Sequence, residues 1–191
     1  MSVGFNASAF RSKLQFGGAR PNLYEVVVSF PSDISNEAVE EFTFMCRSAS
    51  LPGMQVGLTQ VFYFGRPVKF AGDRVFDDWS VRVINDEDFI VRNAFEAWQN
   101  RLAMLDHGTP AITNAAAVGG NSQLYCDIRV TQLAKDGQSN LKRYYLKNAM
   151  PFGIGPIELA YDANDQIEEF DVSFAYDYFV TDEIDGVRVT S

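Results

Sequence analysis

The run from Ala71 to Glu87 constrains this chain more than any other stretch. Gly72-Asp73 and Asp77-Asp78 are turn formers on either side of Val75-Phe76. Trp79, Val81 and Val83 then alternate with Ser80, Arg82 and Ile84, the period of a strand with one face in a core. Asn85-Asp86-Glu87-Asp88 follows and is suited to cap and charge the first turn of a helix. A turn, a strand and a helix start are thus packed into a few residues.

The helix predicted there runs from about Asp88 to Leu105. Val91, Phe95, Trp98, Leu102 and Leu105 fall on one apolar stripe, with Arg92, Asn93, Glu96, Gln99 and Asn100 on or near the other side. Everything else with a period reads as strand. Leu23 to Phe30 places Tyr24, Val26 and Val28 on one face. Phe42 to Arg47 alternates Phe42, Phe44 and Cys46 with Thr43, Met45 and Arg47, after a polar hairpin loop at Asp33 to Glu40. Gln60 to Phe70 reads as two short pieces broken at Gly65, and Pro67 argues against a central, fully paired position.

Leu124 to Leu133 and Leu141 to Leu146 form a hairpin about Lys135-Asp136-Gly137-Gln138. Met150-Pro151-Phe152-Gly153-Ile154-Gly155-Pro156 reads as a break. Ile157 to Tyr161 and Glu169 to Phe179 close the set, joined by an Asx-rich turn. Along the last strand Phe170, Val172, Phe174, Tyr176 and Tyr178 share one face, and Asp171, Ser173, Ala175 and Asp177 the other. Seven or eight strands and one helix give a mainly β domain: two packed antiparallel sheets, or a partly closed barrel, with a flanking helix. Sixteen Phe and eight Tyr in 191 residues fit sheets better than a helical bundle.

The domain is bounded at residues 23–180. Residues 1–22 form an N-terminal arm in which Phe5, Phe10, Leu14 and Phe16 read either as a docking segment or as part of a solvated tail. Residues 181–191 form a C-terminal tail. No secretory leader and no apolar run near the ~20 residues of a membrane span is visible. Cys46 and Cys126 read as buried free thiols of a chain folded in a reducing cytoplasm. A formal charge of −9 disfavours general affinity for phosphates or anionic membranes.

Little is arranged for chemistry. His107 stands alone beside Gly108, and there is no Cys-x-x-Cys for zinc. Asp162-x-Asn164-x-Gln166 begins like a calcium loop, but Ile167 stands where the turn Gly belongs and Ser173 where the bidentate Glu belongs. Gly153-Ile154-Gly155-Pro156 lacks the third Gly of a dinucleotide loop, and no phosphate-cradling Gly-Lys-Ser/Thr exists. Asp77 and Asp78 are adjacent, so on a strand they face opposite ways, and turn or cap duty explains them better than acid–base work. No catalytic residue, cofactor or metal is expected.

The run Ala71-Gly72-Asp73-Arg74-Val75-Phe76-Asp77-Asp78-Trp79 and the strand ending in Asn85-Asp86-Glu87 resemble the tail tube proteins of contractile-tailed bacteriophages. Ala19-Arg20-Pro21-Asn22-Leu23-Tyr24 upstream and Phe95-Glu96-Ala97-Trp98-Gln99 downstream carry the same resemblance. It implies two roughly orthogonal sheets with a flanking helix. It also implies homohexameric rings stacked into a hollow tube, with strands of neighbouring subunits joined into one barrel around the bore.

The implied partners are other copies of the chain, a sheath protein, and baseplate and terminator proteins. DNA would pass transiently and non-specifically through the bore, and no membrane insertion is implied. The implied location is the virion, after synthesis in the host bacterial cytoplasm. Arg20, Pro21, Asn22, Asp73 and Arg74 match family positions and read either as subunit or ring contacts or as turn residues. Asp171, Ser173 and Asp177 are candidates to face the bore, where acidity would let DNA slide; the same face also reads as an outer solvated surface. A baseplate tube initiator of this fold and a type VI secretion-like tube protein are the alternatives within the class. A small-ligand-binding β-barrel, monomeric and enclosing an apolar pocket, is the alternative outside it.

Overall fold

Trp79, Val81 and Val83 are buried and Ser80 and Arg82 exposed along β5 (Trp79–Ile84), as the period-2 pattern predicts. The computed structural model describes residues 7–14, 17–31, 34, 37–102, 124–162, 164–184 and 187–188. His107, the small-residue loop around it, Leu105, Phe5, Phe16 and the last residues of the C-terminal tail lie outside them.

In chain order the elements are α1 (Ala7–Lys13), β1 (Tyr24–Val28), α2 (Glu37–Met45), β2 (Cys46–Ala49), β3 (Met54–Tyr63), β4 (Arg66–Phe76), β5 and α3 (Ile90–Leu102). Then come β6 (Cys126–Leu133), β7 (Asn140–Ile154), β8 (Glu169–Ala175), β9 (Tyr178–Thr181), β10 (Glu183–Ile184) and β11 (Val187–Arg188). Seven strands share one antiparallel sheet in the order β1-β6-β7-β8-β5-β2, with β9 also on β7. Strand β7 joins its two halves. Its first part pairs with β6 and β9, and Met150 to Ile154 pairs with β8.

The corner between the halves is at Asn148, which has φ of 55° opposite a bulge in β6–β7. Asn148 Nδ2 donates to Asp177 Oδ2 at 2.7 Å, the Asp177 amide donates to the Lys147 carbonyl, and Lys147 is paired with Asp127 at 2.5 Å. The chain changes halves here a second time, between β8 and β9. The outermost strands, β1 and β2, approach each other. The Tyr24 hydroxyl on β1 donates to the Cys46 carbonyl at 2.9 Å and the Arg47 carbonyl at 2.5 Å. The fold is therefore the partly closed, two-part β structure expected, with helices on its flank.

One core lies between the sheet halves and helices α2 and α3. Phe95 is its centre, with ring centroids 5.1 Å from Phe30, 5.6 Å from Phe42 and 5.8 Å from Phe174. Each such side chain contributes about 1.5–3 kcal/mol by leaving water. Trp98 is fully buried, and its indole N–H is satisfied by the Leu124 carbonyl at 2.8 Å. The stripe Val91, Phe95, Trp98 packs as its spacing predicts, with Ala94 added.

Several expectations are overturned. Phe42 to Met45 is the end of helix α2, not a strand; Phe42 is buried while Phe44 is 83% exposed. Glu37-Ala38-Val39-Glu40-Glu41 are helix-compatible, and Ala38, Phe42 and Met45 recur at helical spacing. The chain thus has three helices among its described residues, not one. Helix α3 begins at Ile90, so the acidic group precedes it. Asp86 Oδ1 accepts from the Glu87 amide, and Phe89, at φ 54°, offers the carbonyl that receives the Asn93 amide.

Gly72-Asp73 is not a turn but a bulge within β4. Met150 to Ile154 is not a break but the end of β7, where Pro151 sits beside a bulge that tolerates its missing donor. Residues 157 to 160 form no strand. Glu169 to Phe179 is two strands, because the corner interrupts it at Tyr176-Asp177; Asp177 therefore does not continue the face of Asp171 and Ser173.

Candidate assembly surfaces

Among the described residues, β3 and β4 pair with each other and with no other strand. They are joined by Phe64-Gly65, both at positive φ (47° and 75°), the twist that a two-residue hairpin turn demands. Ten residues at about 3.3 Å each give an arm roughly 30 Å long. Its base is fixed: Trp79 Nε1 donates to the Ser50 carbonyl at 2.6 Å, Gln55 Nε2 to Asp77 Oδ2 at 3.2 Å, and Phe76 stacks edge-on against Phe179 at 5.4 Å.

The register assigns the arm's faces. Val61/Val68 and Thr59/Phe70 lie on one, and Phe62/Pro67 and Leu58/Ala71 on the other. Both are largely apolar, with the pair Tyr63/Arg66 added to the first and Gln60/Lys69 to the second, and both are exposed along the whole of β3. A half-buried strand would alternate; this one carries the continuous run Val61-Phe62-Tyr63-Phe64. That run was the signal in the sequence, although it reads equally as a buried strand.

The second surface is a groove of about 1120 Å³. One side is the end of the β2-β5-β8 sheet, with Arg47, Arg82, Glu169 and Asp171; the other is formed by Gly155 to Tyr161 and Gln166 to Glu168. Arg47 is ion-paired with Glu169, and Arg82 meets Asp171 in a bidentate pair at 2.9 and 3.1 Å. The hydrogen bond from Arg82 holds the Asp171 carboxyl below the usual range. The segment is anchored where Arg92 Nη1 donates to the Gly155 carbonyl at 2.7 Å, and Asn85 donates to Glu168. Leu159, Tyr161 and Ile167 project from it into solvent, a feature the sequence reading missed by assigning a strand there.

The residues picked from sequence fall in four places. Arg20, Pro21 and Asn22 form an exposed turn into β1, where Gln132 Nε2 donates to the Arg20 carbonyl at 2.8 Å. Asp73 and Arg74 lie on the arm at its bulge, with Arg74 opposite Val56. Asp171 and Ser173 share the outer face of β8, Ser173 within 3.0 Å of the Ser80 hydroxyl. Asp177 is at the corner with Asn148. Among the described residues, strands β1, β2 and β9 each have one neighbour in the sheet. No three described His, Cys, Asp or Glu residues are grouped to hold a metal, and no helix among the described residues is long and apolar enough to cross a membrane.

The family model described as "Phage tail tube protein" matches residues 9–182. The tail tube protein gp19 of Enterobacteria phage T4 is 33% identical over 165 residues, covering 84% of this chain and 90% of that protein. Among solved structures, a chain of the anti-feeding prophage baseplate, 6-fold symmetrised, aligns with a TM-score of 0.62 at 12% identity, covering 86% of this chain and 95% of that one. A chain of the sheath-tube complex of an extracellular contractile injection system in its extended state aligns with a TM-score of 0.58 at 14% identity, covering 91% and 97%. These two likenesses show the shared fold. With the family model spanning nearly all of it, the chain belongs to the phage tail tube protein family and is a structural subunit of the tube of a contractile phage tail.

Proposed function

We propose that copies of this chain form six-fold rings that stack into a hollow tube, inside a sheath and between a baseplate and a terminator. DNA leaves through its bore. The arm carries this reading: a two-stranded hairpin apolar on both faces is marginal in water and finds its stability against neighbours. The single-sided strands β1, β2 and β9 offer edges for pairing between copies, and closing a ring removes such edges.

The bore wall is assigned to the outer face of β5 and β8, with Ser80 and Ser173 at its middle and the Arg82–Asp171 pair at one border. Hydroxyls and mutually paired charges leave no unengaged cation on that strip to hold phosphates through counterion release. Asp177, hydrogen-bonded at the corner, is placed at the margin of the strip. Arg20, Pro21 and Asn22 are placed at contacts between subunits beside β1, and Asp73 and Arg74 on the arm between rings. The exposed Phe10 and Leu14 of α1 give the N-terminal arm its docking side chains.

The test is negative-stain electron microscopy of the concentrated protein, alone and after mixing with baseplates. Hollow tubes with six-fold end views are expected in at least the second case. Discrete monomers in both would overturn the proposal.

A further inference from the structure

Tyr176 carries a hydroxyl that its surroundings do not use. Its ring closes the aromatic base of the arm, with the centroid 6.1 Å from that of Phe76. Phe76 lies in turn 5.4 Å from Phe179, and Phe179 5.7 Å from Tyr144. A phenylalanine at position 176 would fill the same space. The Tyr176 hydroxyl oxygen is buried and has no hydrogen-bond partner. A buried tyrosine O–H ordinarily finds one, and leaving it unpaired costs free energy.

Acceptors stand close by, in the two residues that follow Phe76. Burial, and after it the charges of Asp77 and Asp78, push the Tyr176 hydroxyl up. The two carboxylates differ. Asp77 Oδ2 already accepts from Gln55 at 3.2 Å, whereas the Asp78 side chain is exposed and, among the described residues, engaged by no other group. A donor and an acceptor, each unpaired, thus face the base of the arm without meeting.

One of the two is fixed and the other is placed to move. Tyr176 precedes Asp177, which holds the corner through Asn148 at 2.7 Å and through its amide to the Lys147 carbonyl at 3.1 Å. Asp78 instead lies between the arm and Trp79, which is buried and tied to the Ser50 carbonyl. No residue of 54–76 belongs to the buried core, so the arm can tilt without disturbing it. On the β4 side that tilt is taken up at Asp77-Asp78.

We propose that Tyr176 is a latch for the arm: when the arm tilts on assembly, the Asp78 carboxylate moves onto the Tyr176 hydroxyl and accepts a hydrogen bond that the free subunit lacks. This rests on the tail-tube reading and adds a bond within one subunit, whatever surface the arm meets.

The experiment compares full-length wild type with Tyr176→Phe, free and assembled. The free subunit is expected to melt no lower in the variant, because the hydroxyl it loses makes no bond there. Tube growth from baseplates is expected to need about ten-fold more of the variant, as loss of one hydrogen bond to a charged group predicts. Asp78→Ala should raise that concentration similarly, and the double variant no further than either alone. In the wild-type tube the two oxygens should lie about 2.5–3.0 Å apart by cryo-electron microscopy. A Tyr176→Phe protein that assembles like wild type would overturn the latch. So would a free variant melting several degrees lower, which marks the hydroxyl as ordinary packing, or full additivity with Asp78→Ala. Failure of the wild-type protein to form tubes, alone or with baseplates, would overturn the underlying reading instead.

Discussion

Phe64 occupies a conformation that phenylalanine rarely adopts, φ 47°, and its ring is 89% exposed. A bulky residue in the left-handed region costs about 1–2 kcal/mol, and Asn-Gly is the favoured pair for such a turn. Phe64→Asn is therefore expected to stabilise the arm of the free subunit by about 1 kcal/mol while weakening tube formation. Hydrogen exchange of the arm amides checks the first effect and electron microscopy the second. A Phe64→Asn protein that assembles as well as wild type would show that the tip ring does nothing beyond the turn. The two thiols give a second prediction at this scale. Burial pushes Cys46 up to about 12; burial and the neighbouring Asp127 push Cys126 up to about 11. The folded state then holds protons that the unfolded chain releases above about 8.5. Stability contributed by these groups is complete below that pH and is lost as pH rises towards 11–12. Melting temperature is expected to fall across that window, and less so in a Cys46→Ala, Cys126→Ala variant. Alkylation near pH 8 is expected to be slow until the protein is unfolded.

Gly57 and Gly72 cross at the bulge of the arm, and that close approach is the reason for both. A Cβ on Gly72 would lie 3.1 Å from the Gly57 carbonyl oxygen and 3.2 Å from its carbon, both backbone atoms. Gly72→Ala is expected to cost the arm about 1–3 kcal/mol of local pairing. No residue of 54–76 belongs to the buried core, so the cost should not reach the global melting temperature. Faster hydrogen exchange from Val56 to Arg74, with an unchanged thermal transition, is the expected pattern. The same bulge shows where sequence reading stops. Gly72-Asp73 has the composition of a turn, and only its partner strand reveals that the chain runs on. Elements with one buried face were legible: β5 and α3 follow their hydrophobic periods closely. Helix α2 was not, because Phe42 and Phe44 alternate by composition while Ala38 and Phe42 carry the true helical spacing. The corner at Asn148 and Asp177 was invisible because contacts between distant strands set it. The site divides the same way. The resemblance pointed to Asp73 and Arg74, but among the described residues the arm's two faces have no in-chain partner to impose a period. The groove needs two segments that only folding brings together.

For the whole molecule, the tube reading makes assembly depend on the arm and folding on the core. The arm can be removed without touching the core: replacing residues 57–73 by Asn-Gly joins Val56 to Arg74 through a two-residue turn, leaving Trp79 on Ser50 and Phe76 on Phe179. Such a subunit is expected to melt within a few degrees of wild type. It should stay monomeric at concentrations where wild type forms tubes, even with baseplates present. Mixed with wild-type protein it should shorten tubes, because it brings the sheet edges of a subunit without the arm, as read from length distributions by electron microscopy. Tubes of normal length from the shortened subunit alone would contradict the assembly role given to the arm.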